Sequence, residues 1–209
     1  MSPRNKTINR RTIIVFVAGI LVVSGSLFWH QKTKPYHLLT VEPGVLYRSG
    51  ALKPHNLKNV VDQYGIRTIV SLRHRWEEDP QPDWYNQEKE FCARNGLTFV
   101  HIPMRGNSPP TDEQLAQWLV LLDNPKNYPI LVHCSQGAIR TGIMTAIYEM
   151  EYRQKDNQKT LKELNTFGHD LDVPKRKRMC EYILNYVPRW KQQEDLAKSN
   201  SGESNHERP

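Results

Sequence analysis

Pro129-Ile130-Leu131-Val132-His133-Cys134-Ser135-Gln136-Gly137-Ala138-Ile139-Arg140-Thr141-Gly142 joins an apolar run to a helix-forming one, with a cysteine and an arginine six positions apart between them. The run from Pro129 to Val132 reads as a buried strand and Ile139 onward as a helix, so the residues between form a strand-to-helix turn whose free backbone N–H groups point inward. A phosphate fits such a cup. Cys134 stands at its base, where those dipoles and a nearby guanidinium favour thiolate over thiol, lowering a pKa that is ordinarily about 8.5. Arg140 can grip two phosphoryl oxygens with its planar fork, which a lysine ammonium would not reproduce.

The block resembles the active-site signature of the cysteine-dependent protein tyrosine phosphatases: His-Cys, five residues, then Arg and Ser or Thr. Every signature position is filled. The resemblance implies that Cys134 is a nucleophile forming a phosphocysteine and that Arg140 clamps the phosphate together with Ser135, Gln136, Gly137, Ala138 and Ile139. It implies further that Thr141 stabilises the leaving thiolate, and His133 reads as a residue beneath the loop that orders it. Gly137 would let the loop close on the phosphate, and Gly142 would allow close helix packing. The bland alternative is a cysteine merely buried at the end of a core strand. It leaves His133, Gly137, Arg140, Thr141 and Gly142 in register without a reason.

Upstream, Val45-Leu46-Tyr47-Arg48-Ser49-Gly50 and Tyr64-Gly65-Ile66-Arg67-Thr68-Ile69-Val70-Ser71-Leu72-Arg73 extend the resemblance to the compact dual-specificity branch, over roughly 44–186. Strand-like segments at 45–47, 68–72, 98–102 and 130–133 alternate with helix-like ones at 56–63, 83–95, 112–122 and 139–153, and two further helices are expected near 158–167 and 174–186. The expected fold class is α/β: a parallel-type central sheet with helices on both faces, as in the dual-specificity phosphatases, and the site at a switch crevice. One N-terminal transmembrane helix would precede it. The expected organisation is a basic cytoplasmic N-terminus at 1–11, a signal anchor at 12–29, a linker at 30–43, the phosphatase domain at 44–188 and a polar, disordered tail at 189–209.

The anchor reading rests on eighteen uncharged residues, Thr12 to Trp29, led by Arg4, Lys6, Arg10 and Arg11. Eighteen just suffices to span a bilayer, and a cleaved secretory signal is the competing reading. The positive-inside bias then sets the N-terminus in the cytoplasm and the catalytic domain outside it, in a periplasm or equivalent space. Net charge is +7, but residues 1–34 hold six Lys/Arg and no acid, leaving 23 basic against 22 acidic residues thereafter. A nucleic-acid partner is therefore not expected. The Lys175-Arg176-Lys177-Arg178 run reads as a solvated helix face. Cys92, Cys134 and Cys180 are too far apart for a disulfide framework, although a reversible Cys134–Cys92 pairing is conceivable. No metal or cofactor is expected.

A departing alkoxide needs a proton. In dual-specificity relatives an aspartate after the strand matching Phe99-Val100-His101-Ile102-Pro103 supplies it, but Met104-Arg105-Gly106-Asn107-Ser108-Pro109-Pro110 holds no carboxylate. Asp112 is the nearest substitute. Thr111-Asp112-Glu113-Gln114 also reads as a capping box, and that role is favoured for the acids. Asp123, Asp83 and Glu77, Glu78 and Asp79 are further candidates. The five neutral residues inside the loop favour a phosphorylated protein or a small phosphomonoester as partner over an inositol polyphosphate, though Arg73, Arg75 or the 175–178 run could supply charge. Trp76, Trp84 and Tyr85 would wall the pocket or simply pack. A membrane-anchored phosphatase leads, against a phospho-ligand binding module of little turnover, an inositol-phosphate or phosphoinositide phosphatase, and a rhodanese-like sulfur transferase.

Overall fold

The computed structural model describes residues 16, 19, 20, 35–74, 83–106, 108–164 and 173–203. Two compact units divide between Lys34 and Pro35, and the second carries the sheet. Its strands are β1 (Leu39–Glu42), β2 (Leu46–Ser49), β3 (Thr68–Ser71), β4 (Thr98–His101) and β5 (Ile130–His133), in the spatial order β1-β2-β5-β3-β4. β2, β5, β3 and β4 run parallel, whereas β1 turns back antiparallel onto β2. The sheet is therefore mixed, a correction to the expected parallel-type sheet. Its cause is the short Glu42 to Val45 turn, which allows only a hairpin where a parallel neighbour needs a long crossover.

Register explains where the site lies. Ser49 pairs with His133, His133 with Ser71, and Ser71 with His101, so four strands end in one row at their carboxyl edge. β5 is central and the chain leaves its neighbours β2 and β3 on either side, which opens a crevice at the end of β5. Cys134 is the next residue.

Alternation along the buried strands divides the core into two layers. Leu46, Val70, Ile130 and Val132 face helices α3 (Asp112–Leu122), α4 (Ile139–Tyr152) and α6 (Lys177–Asn185); Tyr47, Ile69 and Leu131 face α1 (Pro54–Tyr64) and α2 (Asp83–Arg94). α4 is enclosed on nearly every side, with Thr141 to Tyr148 all buried. Trp118 of α3 is wholly buried and donates its indole N–H to Met144 O at 2.9 Å, which satisfies its polar atom inside the core. α3 opens on the expected capping box: Thr111 Oγ1 accepts from Gln114 N, and Gln114 Oε1 accepts from Thr111 N.

The ends of the chain depart from expectation. Among the described residues no helix is long and apolar enough to cross a membrane. The signal anchor at 12–29 is corrected accordingly, and with it the single-pass topology and the outward-facing catalytic domain. Of that stretch only Phe16, Gly19 and Ile20 are described, in helix and exposed. Counting uncharged residues overstated the apolar length. The unbroken run from Ile13 to Val23 is eleven residues, a helical rise of about 16 Å against a hydrocarbon core of about 30 Å. β1 falls within the stretch read as linker, and α7 (Arg189–Glu203) within the stretch read as disordered tail; α5 (Asn157–Glu163) precedes residues outside the described set.

Tertiary contact explains α7. Glu151 of α4 has a nearly buried side chain and accepts from Arg189 Nε at 2.8 Å, Arg189 N at 3.1 Å and Tyr186 Oη at 2.6 Å, while Trp190 donates to Met150 O at 2.9 Å. Removing residues 189–209 would take both Arg189 donors from the nearly buried Glu151 carboxylate and leave it Tyr186 Oη, a loss of about 1–3 kcal/mol. A urea titration of a chain ending at Pro188 should show the unfolding free energy fall by that amount, read as a lower midpoint at unchanged slope. An unchanged midpoint would mean that α7 adds nothing to the core.

Candidate active site

Peptide geometry builds the cradle between β5 and α4. In a planar trans peptide the C=O of one residue and the N–H of the next point opposite ways, so whatever holds a carbonyl outward holds the following amide inward. Around the loop every carbonyl from Ser135 to Ala138 is held from outside. Ser135 O accepts from Ala51 N at 3.1 Å, Gln136 O from His37 Nδ1 at 2.6 Å, and Gly137 O from Arg48 Nη2 at 2.7 Å. Ala138 O accepts from the same Nη2 at 3.1 Å and from Gly142 N at 2.8 Å. The amides of Gln136, Gly137, Ala138 and Ile139 therefore turn to the inside. One of them is seen at work: Gly137 N–H donates to Cys134 Sγ at 3.1 Å. Because Gln136 O can only accept, the His37 nitrogen facing it carries the hydrogen.

Gly137 is required for this closure. Its φ is +70°, and a Cβ there would stand 2.4 Å from Ser49 C and from Gly50 N. Gly142 lies where a Cβ would meet Leu164 Cδ2 at 2.7 Å, as the close packing of α4 requires.

Cys134 is buried at 2% exposure. Burial alone would push its thiol up. The Thr141 hydroxyl, the Arg140 guanidinium and the amides of Thr141 and Gly137 outweigh that and bring its pKa below the ordinary thiol value. Thr141 is fully buried, and no other group among the described residues takes its hydroxyl, which helps to lower the pKa of Cys134. Arg140 donates through Nη1 to Leu72 O at 3.1 Å and Met104 O at 3.3 Å, and through Nη2 to Ser135 Oγ at 3.2 Å. The ends of β3 and β4 thus aim the fork at the loop.

Beneath the loop, His133 Nε2 lies 2.7 Å from Glu88 Oε1, and its Nδ1 lies 3.4 Å from Cys134 O. Burial works against the imidazolium, yet Glu88 reverses this and raises the pKa of His133. For Glu88, burial disfavours the carboxylate, and His133 with Arg73 more than restores it. Arg73 stacks its guanidinium 3.9 Å above the Trp84 ring and feels both Arg140 and the Cys134 charge. Arg48 is buried, which lowers its pKa to about 10 against the pull of the Cys134 thiolate.

The structure brings His133, Cys134, the five loop residues, Arg140 and Thr141 together. Asp112 is exposed in the first turn of α3 and lines, with Arg178 and Tyr182 of α6, a groove of about 470 Å³, where burial first and the Asp112 charge second raise the pKa of Tyr182. Asp123 pairs with Arg189 at 2.8 Å at the far end of α3. Glu77, Glu78, Asp79, Arg75 and Trp76 lie outside the described residues. Trp84 and Tyr85 pack on His101. Cys92 belongs to the core layer opposite the one Cys134 joins, where burial pushes its thiol up to about 12. No disulfide joins Cys92, Cys134 and Cys180.

Sequence reasoning missed three residues. Arg48 carried a signal, a lone charge inside a strand buried at every position. His37 and Glu88 carried none, since a histidine in a presumed linker and a glutamate among charged helix neighbours look solvated.

A family model described as DSP-PTPase phosphatase fused to NAD+ kinase matches residues 37–178. The chain is 29% identical over 106 residues to inositol diphosphatase SIW14 of Saccharomyces cerevisiae, a match covering 48% of this chain and 35% of that protein. It is 25% identical over 177 residues to the dual specificity protein phosphatase TpbA of Pseudomonas aeruginosa, covering 78% of this chain and 75% of TpbA. Its fold resembles the crystal structure of the SIW14 core catalytic domain in complex with citrate: TM-score 0.60, 23% identity, 80% of this chain and 94% of that one covered.

Alkylation by iodoacetamide follows the thiolate fraction. Because the pKa of Cys134 is lowered, its alkylation should be half-maximal below the ordinary thiol midpoint of about 8.5, and Thr141→Val should move that midpoint upward. Mass spectrometry of the Cys134 peptide across pH reads both. A wild-type midpoint at or above the ordinary value would refute the thiolate.

Proposed function

This chain belongs to the DSP-PTPase family of cysteine-dependent dual-specificity phosphatases, and from that premise we propose that it hydrolyses phosphomonoesters through a phosphocysteine formed on Cys134. The observation that carries the reading is a buried sulfur, acidified by its surroundings and held by the Gly137 amide, facing the same loop as Arg140. In this reading the phosphoryl oxygens take the inward amides of 136–139. Three of Arg140's hydrogens go to Leu72, Met104 and Ser135, and its Nε–H and remaining Nη2–H are the pair offered to two phosphoryl oxygens. Sγ attacks phosphorus in line with the leaving oxygen, which departs with the bonding electrons. Water then attacks phosphorus, and the sulfur leaves as a thiolate received by the Thr141 hydroxyl.

The leading substrate class is a phosphorylated protein or small phosphomonoester, supported by the uncharged residues 135–139 and by the likeness to TpbA. This mechanism does not use Asp112, which lies in the first turn of α3 on a groove shared with α6. A cradle with no loop aspartate works best on oxygens that leave without full protonation. That favours aryl esters over alkyl esters. It also supports a second reading, an inositol diphosphate substrate, whose leaving group is itself a phosphate; the likeness to SIW14 and the extra cation of Arg73 beside Arg140 point the same way.

Full-length protein assayed on p-nitrophenyl phosphate, phosphotyrosine peptide, phosphoserine peptide, an inositol diphosphate and an inositol monophosphate separates these readings. Aryl esters should exceed phosphoserine by at least about a hundredfold in kcat/KM. An inositol diphosphate that outruns every monoester gives the second reading precedence. Cys134→Ser should abolish turnover, and Arg140→Lys should cut kcat by about 10²–10³. Turnover surviving in Cys134→Ser would overturn the phosphocysteine route.

A further inference from the structure

We propose that Arg48 is a positioning residue of the phosphate cradle: from behind the loop its guanidinium fixes two carbonyls outward, and so aims two amides at the bound oxyanion. The inference rests on the reading of Cys134 as the nucleophile. One nitrogen, Nη2, donates to Gly137 O at 2.7 Å and Ala138 O at 3.1 Å, while Nη1 is anchored on Thr145 Oγ1 at 3.2 Å, in the second turn of α4. The peptides whose carbonyls are held are those whose N–H groups belong to Ala138 and Ile139. Arg48 thus links strand β2, the loop and α4 with a single planar group.

The location is costly, which argues for a purpose. Arg48 is 6% exposed in a strand whose four residues are all buried, and a buried guanidinium persists only where several acceptors meet it. Two of its acceptors are loop carbonyls, and its charge lies close enough to Cys134 to couple with the sulfur. The result is two guanidiniums on one thiolate. Arg140 reaches the cup from the first turn of α4, held by Leu72 O and Met104 O, and Arg48 braces the loop from behind. A lysine would keep the charge but, as a single ammonium, would not hold both carbonyls and Thr145 in one plane.

Full-length wild type, Arg48→Met and Arg48→Lys are compared by the pH dependence of Cys134 alkylation, by inhibition with orthovanadate, and by thermal unfolding. Arg48→Met should raise the alkylation midpoint by about one unit and weaken orthovanadate at least tenfold. Arg48→Lys should keep the alkylation midpoint near wild type while still weakening orthovanadate about tenfold, because charge survives and amide aim does not. A purely structural role predicts a lower unfolding temperature with midpoint and inhibition unchanged in the folded fraction, and that result overturns the proposal. Should Arg48→Met not fold, Arg48→Lys decides alone, and wild-type orthovanadate affinity there overturns it. Wild-type protein with an acidic alkylation midpoint but no turnover of any phosphoester would sink the proposed function and leave the role of Arg48 standing.

Discussion

Everything at the site depends on which way four peptide planes face. A short loop between a strand and a helix has carbonyls and amides to satisfy, and either set could turn inward. Here Ala51 N, His37 and Arg48 take the carbonyls of 135–138 on the outside. The amides are left to the interior, where a sulfur already accepts one of them. An anion is the natural occupant of a hollow lined with N–H dipoles. Reversal of even one plane would put a carbonyl oxygen against the thiolate and raise its pKa.

Charge placement follows the same logic. Burying a thiolate is unfavourable unless positive charge and donors surround it, and Arg140, Arg48 and Arg73 all act on Cys134. His133 would add a further cation, but Glu88 at 2.7 Å forms a closed pair with it. That pair holds the base of the loop without contributing much net field. The scaffold therefore separates tasks: cations at the rim and rear for the anion, and a neutralised pair below for rigidity.

Much of this was legible from residues alone. The run from Pro129 to Gly142 announces strand, turn and helix by its apolar periodicity, and the Cys134-to-Arg140 spacing announces oxyanion chemistry. The capping box at Thr111 and Gln114 was readable too, because both partners lie within one turn. Its legibility weakened the case for Asp112, whose carboxylate lies in the first turn of that helix. The apolar stretch at 12–29 misled, since absence of charge was counted as length of apolar helix. The polar tail misled in the opposite sense: α7 is held by Glu151, buried in a distant helix, and composition says nothing of such a partner.

The sequence by itself determined the strand–loop–helix unit, the nucleophile and its arginine, because these are local in the chain and follow from dihedral preference and hydrophobic period. Only the tertiary structure decided what surrounds them. His37, Arg48 and Glu88 stand 46 to 97 positions from Cys134 in sequence. They meet it because the parallel register brings the ends of β2, β3, β4 and β5 into one row. Long-range pairing of that kind is fixed by the cooperative burial of two core layers, an interaction no single segment encodes.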